Sequence, residues 1–212
     1  MMSEARLLAR TGVRVIVGGG QARRLSDDLD AALAEGASSI LSFGLCGALD
    51  PALRVGDLVV ASAVLAGGES ITADEAWSTR LADLIPGARR GMIAGADLMV
   101  PDPTSKSALF RASGAVAVDM ESHIAARLAS RRAVPFAALR AVSDAAGRVL
   151  PPAAQAGFGS DGRPDIAAVL RDLLRDPAQL PALIRTAREA GHAMTSLSRA
   201  ATLAGAGLRV SA

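Results

Sequence analysis

Short apolar runs, each cut off by glycine, proline or an acidic turn, alternate along this chain with stretches whose apolar residues recur every three or four positions. A strand buried on both faces needs no polar alternation, whereas a helix lying on a sheet shows one apolar stripe. The alternation therefore restricts the chain to helices packed on both sides of a largely parallel sheet. Strands are expected over residues 13–17, ended by Gly18, Gly19 and Gly20, and over 39–43, closed by Gly44 and Gly47. Further strands are expected over 57–65, 91–96 and 136–143, and residues 115–118 read as a short extended segment. Between the first two lies a helix with Leu25, Leu29, Ala32 and Leu33 on one face, capped at its end by Gly36. Other helices are expected over 73–85, 104–111 and 121–131, and residues 165–203 read as helical with Pro177 and Pro181 punctuating them. Residues 145–164, rich in Gly, Pro and Ala, read as a long loop over a site. The prediction is one domain over residues 1–212: a three-layer α/β/α sandwich with a mixed, mostly parallel central sheet, and a C-terminal helical extension over about 165–204.

Half of the chain is apolar but only 2% is aromatic, with no Tyr and a single Trp, so Ala, Leu, Val and Ile must fill the core. Any surface that stacks on a base must come from Met, Leu or the few Phe. Lys106 is the only lysine among 23 basic residues, and the net charge is +2. No basic stripe interleaved with aromatics occurs, which argues against nucleic acid as a partner. Cys46 stands alone, so no intrachain disulfide and no cysteine-based zinc site is expected, and a reducing compartment fits. Without a signal peptide pattern or a long uncharged apolar stretch, a soluble, cytoplasmic protein is expected, one still able to touch a membrane surface.

Four segments could carry chemistry. Gly18-Gly19-Gly20 joins a strand to a helix, where free N–H groups can receive an anion or a hydroxyl, or where the chain simply turns tightly. The spacing is not that of a dinucleotide site. Ser42-Phe43-Gly44-Leu45-Cys46-Gly47-Ala48-Leu49 lets a ligand approach the backbone at a strand end, and Cys46 by itself reads as a small buried apolar residue. In Val118-Asp119-Met120-Glu121-Ser122-His123, a carboxylate at a helix start can accept two hydrogen bonds from a vicinal diol, or can merely complement the helix dipole. His123 reads as structural. In Arg140-Ala141-Val142-Ser143-Asp144, an Asp at the end of an apolar strand sits where burial favours its protonated form, fit for a general acid, unless it only caps the next turn.

In order and spacing these segments resemble the purine nucleoside phosphorylase and methylthioadenosine/adenosylhomocysteine nucleosidase superfamily over most of residues 13–144. The specific parts are the glycine-rich strand end followed by Leu53-Arg54-Val55-Gly56-Asp57-Leu58-Val59, then Val118-Asp119-Met120-Glu121, then Val142-Ser143-Asp144. Gly18-Gly19-Gly20, the run from Ser42 to Pro51, and Val118 to His123 are most similar to the hopanoid-associated phosphorylases, also described as adenosylhopane nucleosidases. That resemblance implies cleavage of a purine–ribose bond without cofactor or metal, with release of adenine from adenosylhopane in hopanoid biosynthesis. The implied partners are a small nucleoside, lipid-linked in this case, and a second subunit in a homodimer.

By position, the resemblance makes Asp144 the acid that protonates the purine at N7, with Ser143 beside it. Glu121 holds the ribose hydroxyls and Met120 packs on the sugar. Met99 and Val100 line the base, and Cys46 and Gly47 lie against the substrate. Gly20 and Leu45 fall on the nucleophile or anion side, and Glu4 matches the acid that orients water. Phosphorylases of the superfamily commonly place Arg and Ser around phosphate where this chain has Ser42 and Leu45, a departure that favours water as nucleophile. The family also opens with a full strand, which is expected to be missing before Glu4 and to weaken activity. A phosphate-dependent phosphorylase and a nucleoside-binding protein with little turnover are the competing readings.

Overall fold

The computed structural model describes residues 2–8, 12–19, 21–156 and 165–210. Its six strands are β1 (Ile40–Ala48), β2 (Leu58–Ala66), β3 (Glu69–Thr72), β4 (Arg89–Gly95), β5 (Ala117–Asp119) and β6 (Phe136–Asp144). They lie in the order β3-β2-β4-β5-β1-β6, and β2 also pairs with β6, so the sheet curls back on itself. The pairing is mixed. β1 with β6, β2 with β4, and β4 with β5 are parallel; β1 with β5, β2 with β3, and β2 with β6 are antiparallel.

Side chains of β1 and β6 divide with the period of two that a pleated strand imposes. Ile40, Cys46 and Ala48 join Phe136, Ala138 and Val142 in one apolar cluster, together with Leu29 and Leu33 of α2 (Ala22–Ala34) and Ala125, Ala126 and Leu128 of α5 (Ser122–Arg132). The alternate residues Ala137, Leu139 and Ala141 face a second cluster with Leu8 of α1 (Met2–Leu8), Trp77 and Leu81 of α3 (Glu75–Leu84), and Ala193 and Leu197 of α8 (Leu180–Ala204). Helices thus cover the sheet on both faces, as expected for a sandwich. The single tryptophan is fully buried and its indole N–H donates to the Gly207 carbonyl at 2.8 Å, which ties the end of the C-terminal helical region to α3.

The structure differs from the sequence reading at three points. Residues 13–17 carry no strand pairing: Arg14 and Val15 are exposed, and Arg14 pairs at the surface with Glu35. β-branched residues favour strands only where a pleated neighbour packs against them, and none of the described strands pairs with this segment. Second, Gly44 and Gly47 do not close a strand but lie inside β1. Third, β3 was not anticipated, although Gly67 and Gly68, both with positive φ (62° and 91°), make the two-residue turn that joins it to β2. The 145–164 segment contains the short α6 (Pro152–Ala156), and residues 157–164 lie outside the described residues. Beyond them, α7 (Ile166–Arg175) precedes α8.

Candidate active site

The interior glycines of β1 sit beneath charged side chains. A Cβ on Gly44 would stand 2.5 Å from Arg140 Nη1 and 2.7 Å from Glu4 Oε1, and one on Gly47 would stand 3.0 Å from Asp144 Oδ2. At Gly18, before α2, a Cβ would overlap the Glu121 carboxylate. Three carboxylates singled out in the sequence are therefore each seated against a residue that has no side chain to exclude them. Gly47 is in register with Val118 of β5 on one side and with Asp144 of β6 on the other. Asp144 and Val118 are thus two strand spacings apart, about 10 Å, and Glu121 follows Val118 by three residues.

Glu4 is carried by the helix α1 and not by a strand. Leu8 docks that helix in the second apolar cluster, and the buried Glu4 side chain accepts a hydrogen bond from the Leu45 amide at 3.1 Å. The backbone donor expected to face an anion is thereby occupied by a carboxylate of the chain itself. Gly20, assigned to the same side, lies outside the described residues.

Arg140, which had no role in the sequence reading, is the organiser of the inner wall. It is 2% exposed and occupies an apolar strand face; its Nε lies 2.5 Å from Asp119 Oδ2, and its Nη2 donates to Ser42 Oγ at 2.5 Å and to Ser122 Oγ at 2.9 Å. Ser122 Oγ donates in turn to Asp119 Oδ2, while Asp119 Oδ1 accepts from the Ser122 amide at 2.9 Å and the Glu121 amide at 3.2 Å. A buried guanidinium requires such a set of partners. The consequence is a fixed backbone at residues 119–122, which sets the direction in which Glu121 leaves the chain. The signal was present in the sequence: a charged residue inside an otherwise apolar run calls for a buried partner.

Asp144 is 6% exposed and is not an isolated carboxyl. Lys106 of α4 (Pro103–Ser113) is wholly buried and its ammonium donates to Asp144 Oδ2. Ser143 Oγ lies 2.9 Å from Asp144 Oδ1 and 3.1 Å from the Cys46 carbonyl. The Cys46 side chain itself points into the first apolar cluster, so only its carbonyl reaches this group. Burial pushes the Cys46 thiol far above the ordinary range, which removes it as a nucleophile.

Glu121 and Met120 line a narrow cleft with Gly18, Gln21, Asp97 and Ile124, about 30 Å³ in volume. That is room for a water. Asp144, Met99 and Val100 do not line it; Val100 packs instead beside Leu49, Ala94, Ala115 and Val118. His123 is buried, with Nε2 3.0 Å from Oδ1 of the cleft residue Asp97. Among the described residues no group of His, Cys, Asp and Glu is placed to hold a metal ion.

The profile of the phosphorylase superfamily matches residues 2–175. The chain belongs to this superfamily. The match spans every strand and the four groups just described, and it places this phosphorylase-superfamily chain among enzymes that cleave N-glycosidic bonds. A search of curated proteins finds no match. Among solved structures, the chain is similar to the 5′-methylthioadenosine/S-adenosylhomocysteine nucleosidase of Helicobacter pylori crystallised with butyl-thio-DADMe-Immucillin-A, at TM-score 0.62 and 18% identity, over 94% of each chain. It is also similar to the corresponding nucleosidase of Campylobacter jejuni (TM-score 0.56, 21% identity, 84% of this chain and 77% of that one). Futalosine hydrolase of Helicobacter pylori gives TM-score 0.55 at 22% identity, over 72% of this chain and 75% of that one. These likenesses show the shared fold, a mixed sheet flanked by helices.

Proposed function

We propose that this superfamily member is a purine nucleosidase that releases adenine from a 5′-modified adenosine with water as the nucleophile. The observation that carries the choice of water is the hydrogen bond from the Leu45 amide to Glu4, which puts a negative charge where a phosphate would need a donor. In this reading Glu121 holds the ribose hydroxyls and Met120 packs on the sugar. Met99 and Val100 take the base once the substrate widens the cleft toward them. Asp144 gives its proton to N7 so that a neutral base leaves as the ribose becomes oxocarbenium-like, and Glu4 takes the proton of the attacking water. The nucleosidases and the hydrolase similar to it in structure support the hydrolytic class.

The substrate we infer is lipid-linked, adenosylhopane in hopanoid synthesis, in a cytoplasmic homodimer that touches the membrane surface. Support comes from Leu98, 79% exposed beside the cleft residue Asp97, and from the exposed Ile166, Leu170 and Leu174 on one face of α7. No helix among the described residues is long and apolar enough to cross a membrane.

Adenine release from a series of 5′-substituted adenosines, measured with and without phosphate, tests the proposal. Hydrolysis predicts equal rates in both, and a lipid-linked substrate predicts a preference for apolar 5′ substituents. An absolute requirement for phosphate would establish phosphorolysis instead, and tight binding without release would establish a binding protein.

A further inference from the structure

The one lysine of the chain does not lie at its surface. Every other basic residue is arginine, so wherever a long cation in solvent suffices this sequence uses a guanidinium. Lys106 is wholly buried, a place where lysine is rarely found unpaired. Its ammonium contacts three acceptors: Asp144 Oδ2, the Ala145 carbonyl at 3.1 Å and the Arg148 carbonyl at 3.5 Å. Three acceptors converging on one point suit the three N–H bonds of a compact ammonium and not the planar fork of arginine. α4 is built to hold this position. Asp102 caps it, accepting from the Ser105 amide at 2.9 Å, Pro103 opens it, and Gly114 ends it at a φ of 68°.

We propose that Lys106 is the positioning residue of the proton donor in this site: it fixes Asp144 through Oδ2 and stabilises the carboxylate that remains when Asp144 has protonated the leaving base. The proposal rests on the reading of Asp144 as the acid. In the step concerned, Asp144 has first taken a proton from solvent beside the Lys106 ammonium; its O–H bond then breaks as N7–H forms, and the C1′–N9 electron pair leaves with the purine. The oxygen of water bonds to C1′ and its proton passes to Glu4. The negative charge left on Asp144 faces the Lys106 ammonium, while Ser143 stands at Oδ1, the oxygen that remains for the base. A lysine that only tied residues 145–148 to α4 would make the same backbone contacts, so the test must separate the two roles.

The separation comes from the leaving group. A purine nucleoside needs protonation to depart, whereas the p-nitrophenyl riboside bearing the same 5′ group does not, because p-nitrophenolate leaves unaided. Wild-type protein, Lys106→Met, Lys106→Gln and Asp144→Asn are compared on both substrates, with thermal unfolding confirming that each variant folds. The expected result for both Lys106 variants is a kcat lower by roughly 10-fold to 100-fold on the nucleoside, the worth of a hydrogen bond to a charged group, with the nitrophenyl rate changed less than threefold and KM nearly constant. Equal losses on both substrates, or no loss on either, overturn the role given to Lys106. Asp144→Asn failing to show the same selectivity overturns the Asp144 reading itself, whatever the Lys106 variants do. Should neither Lys106 variant fold, the single lysine offers a direct readout in the wild-type fold. Its Nζ signal in a nitrogen-15 spectrum is unique, and it must shift in Asp144→Asn; an unshifted signal contradicts the contact on which the proposal stands.

Discussion

Glu4 Oε1 accepts the Leu45 amide proton at 3.1 Å, so a residue near the start of the chain closes the donor that β1 presents to the site. Arg140 Nη1 and Glu4 Oε1 both crowd the space above Gly44, which gathers a carboxylate, a guanidinium and a backbone amide in one place. Such a group can hold and deprotonate a water. Glu4→Gln keeps the side chain's reach but cannot take a proton, and a lost general base costs about 10²-fold to 10⁴-fold in rate. Initial rates of adenine release should fall by that factor with KM little changed; a rate within threefold of wild type removes Glu4 from the reaction.

Gly18→Ala is expected to act on Glu121 alone. The added methyl would occupy the position of the carboxylate, and Gly18 has no positive φ that would add backbone strain. Displacing the ribose-holding group should raise KM by roughly tenfold or more while the fold persists, since one charge-assisted hydrogen bond is worth about 1.5–3 kcal/mol. Isothermal titration with a 5′-thio-substituted adenosine analogue checks this, and undiminished affinity would show that Glu121 does not hold the sugar.

Arg140 belongs to a different class of residue, one whose loss damages the fold. Replacing it by Met leaves Asp119 buried without its cation, and breaking a buried pair from one side costs about 3–5 kcal/mol. Urea unfolding of Arg140→Met should show a loss of that order. The double variant Arg140→Met, Asp119→Leu should recover part of it, because no charge is then left unpaired; failure of the double variant to recover any stability would contradict the pairing.

Cys46 tests the burial of β1 from the chemical side. Its thiol is raised by burial first and foremost, only partly offset by Arg140, so native protein at pH 8 should resist alkylation by iodoacetamide, while urea-unfolded protein should react fully. The sign for stability follows from the same shift. A group that holds its proton more tightly when folded contributes stability below its ordinary pKa, near 8.5, and loses that contribution as pH rises above it. Rapid native-state labelling would show that the strand opens locally or that the thiol is not in the core.

The legible parts of the fold were those whose signal is local. β6 shows as an apolar run broken only by Arg140 before its polar end at Ser143 and Asp144, and α2 shows as a stripe of Leu25, Leu29, Ala32 and Leu33 ending at Gly36, which lies at a φ of 105°. The segment 13–17 misled because strand propensity describes a fit to neighbours, which one stretch of sequence cannot show. Glycines 44 and 47 resemble strand ends in sequence, but their cause is three-dimensional: Glu4, Arg140 and Asp144 arrive from elsewhere in the chain to occupy the space above them. The same distance in sequence hid the partner of Asp144. Lys106 precedes it by 38 residues, and only its solitude among the basic residues marked it out.

The account stands most directly on Asp144→Asn. The amide fills the same space and keeps a contact to Ser143, but it cannot deliver the proton to the purine. With a 5′-substituted adenosine as substrate, adenine release should fall by about 10²-fold to 10⁴-fold while the affinity for the nucleoside changes less than fivefold. A variant that releases adenine at the wild-type rate would show that the bond is broken without this carboxyl group, and the assignment of the site would be wrong.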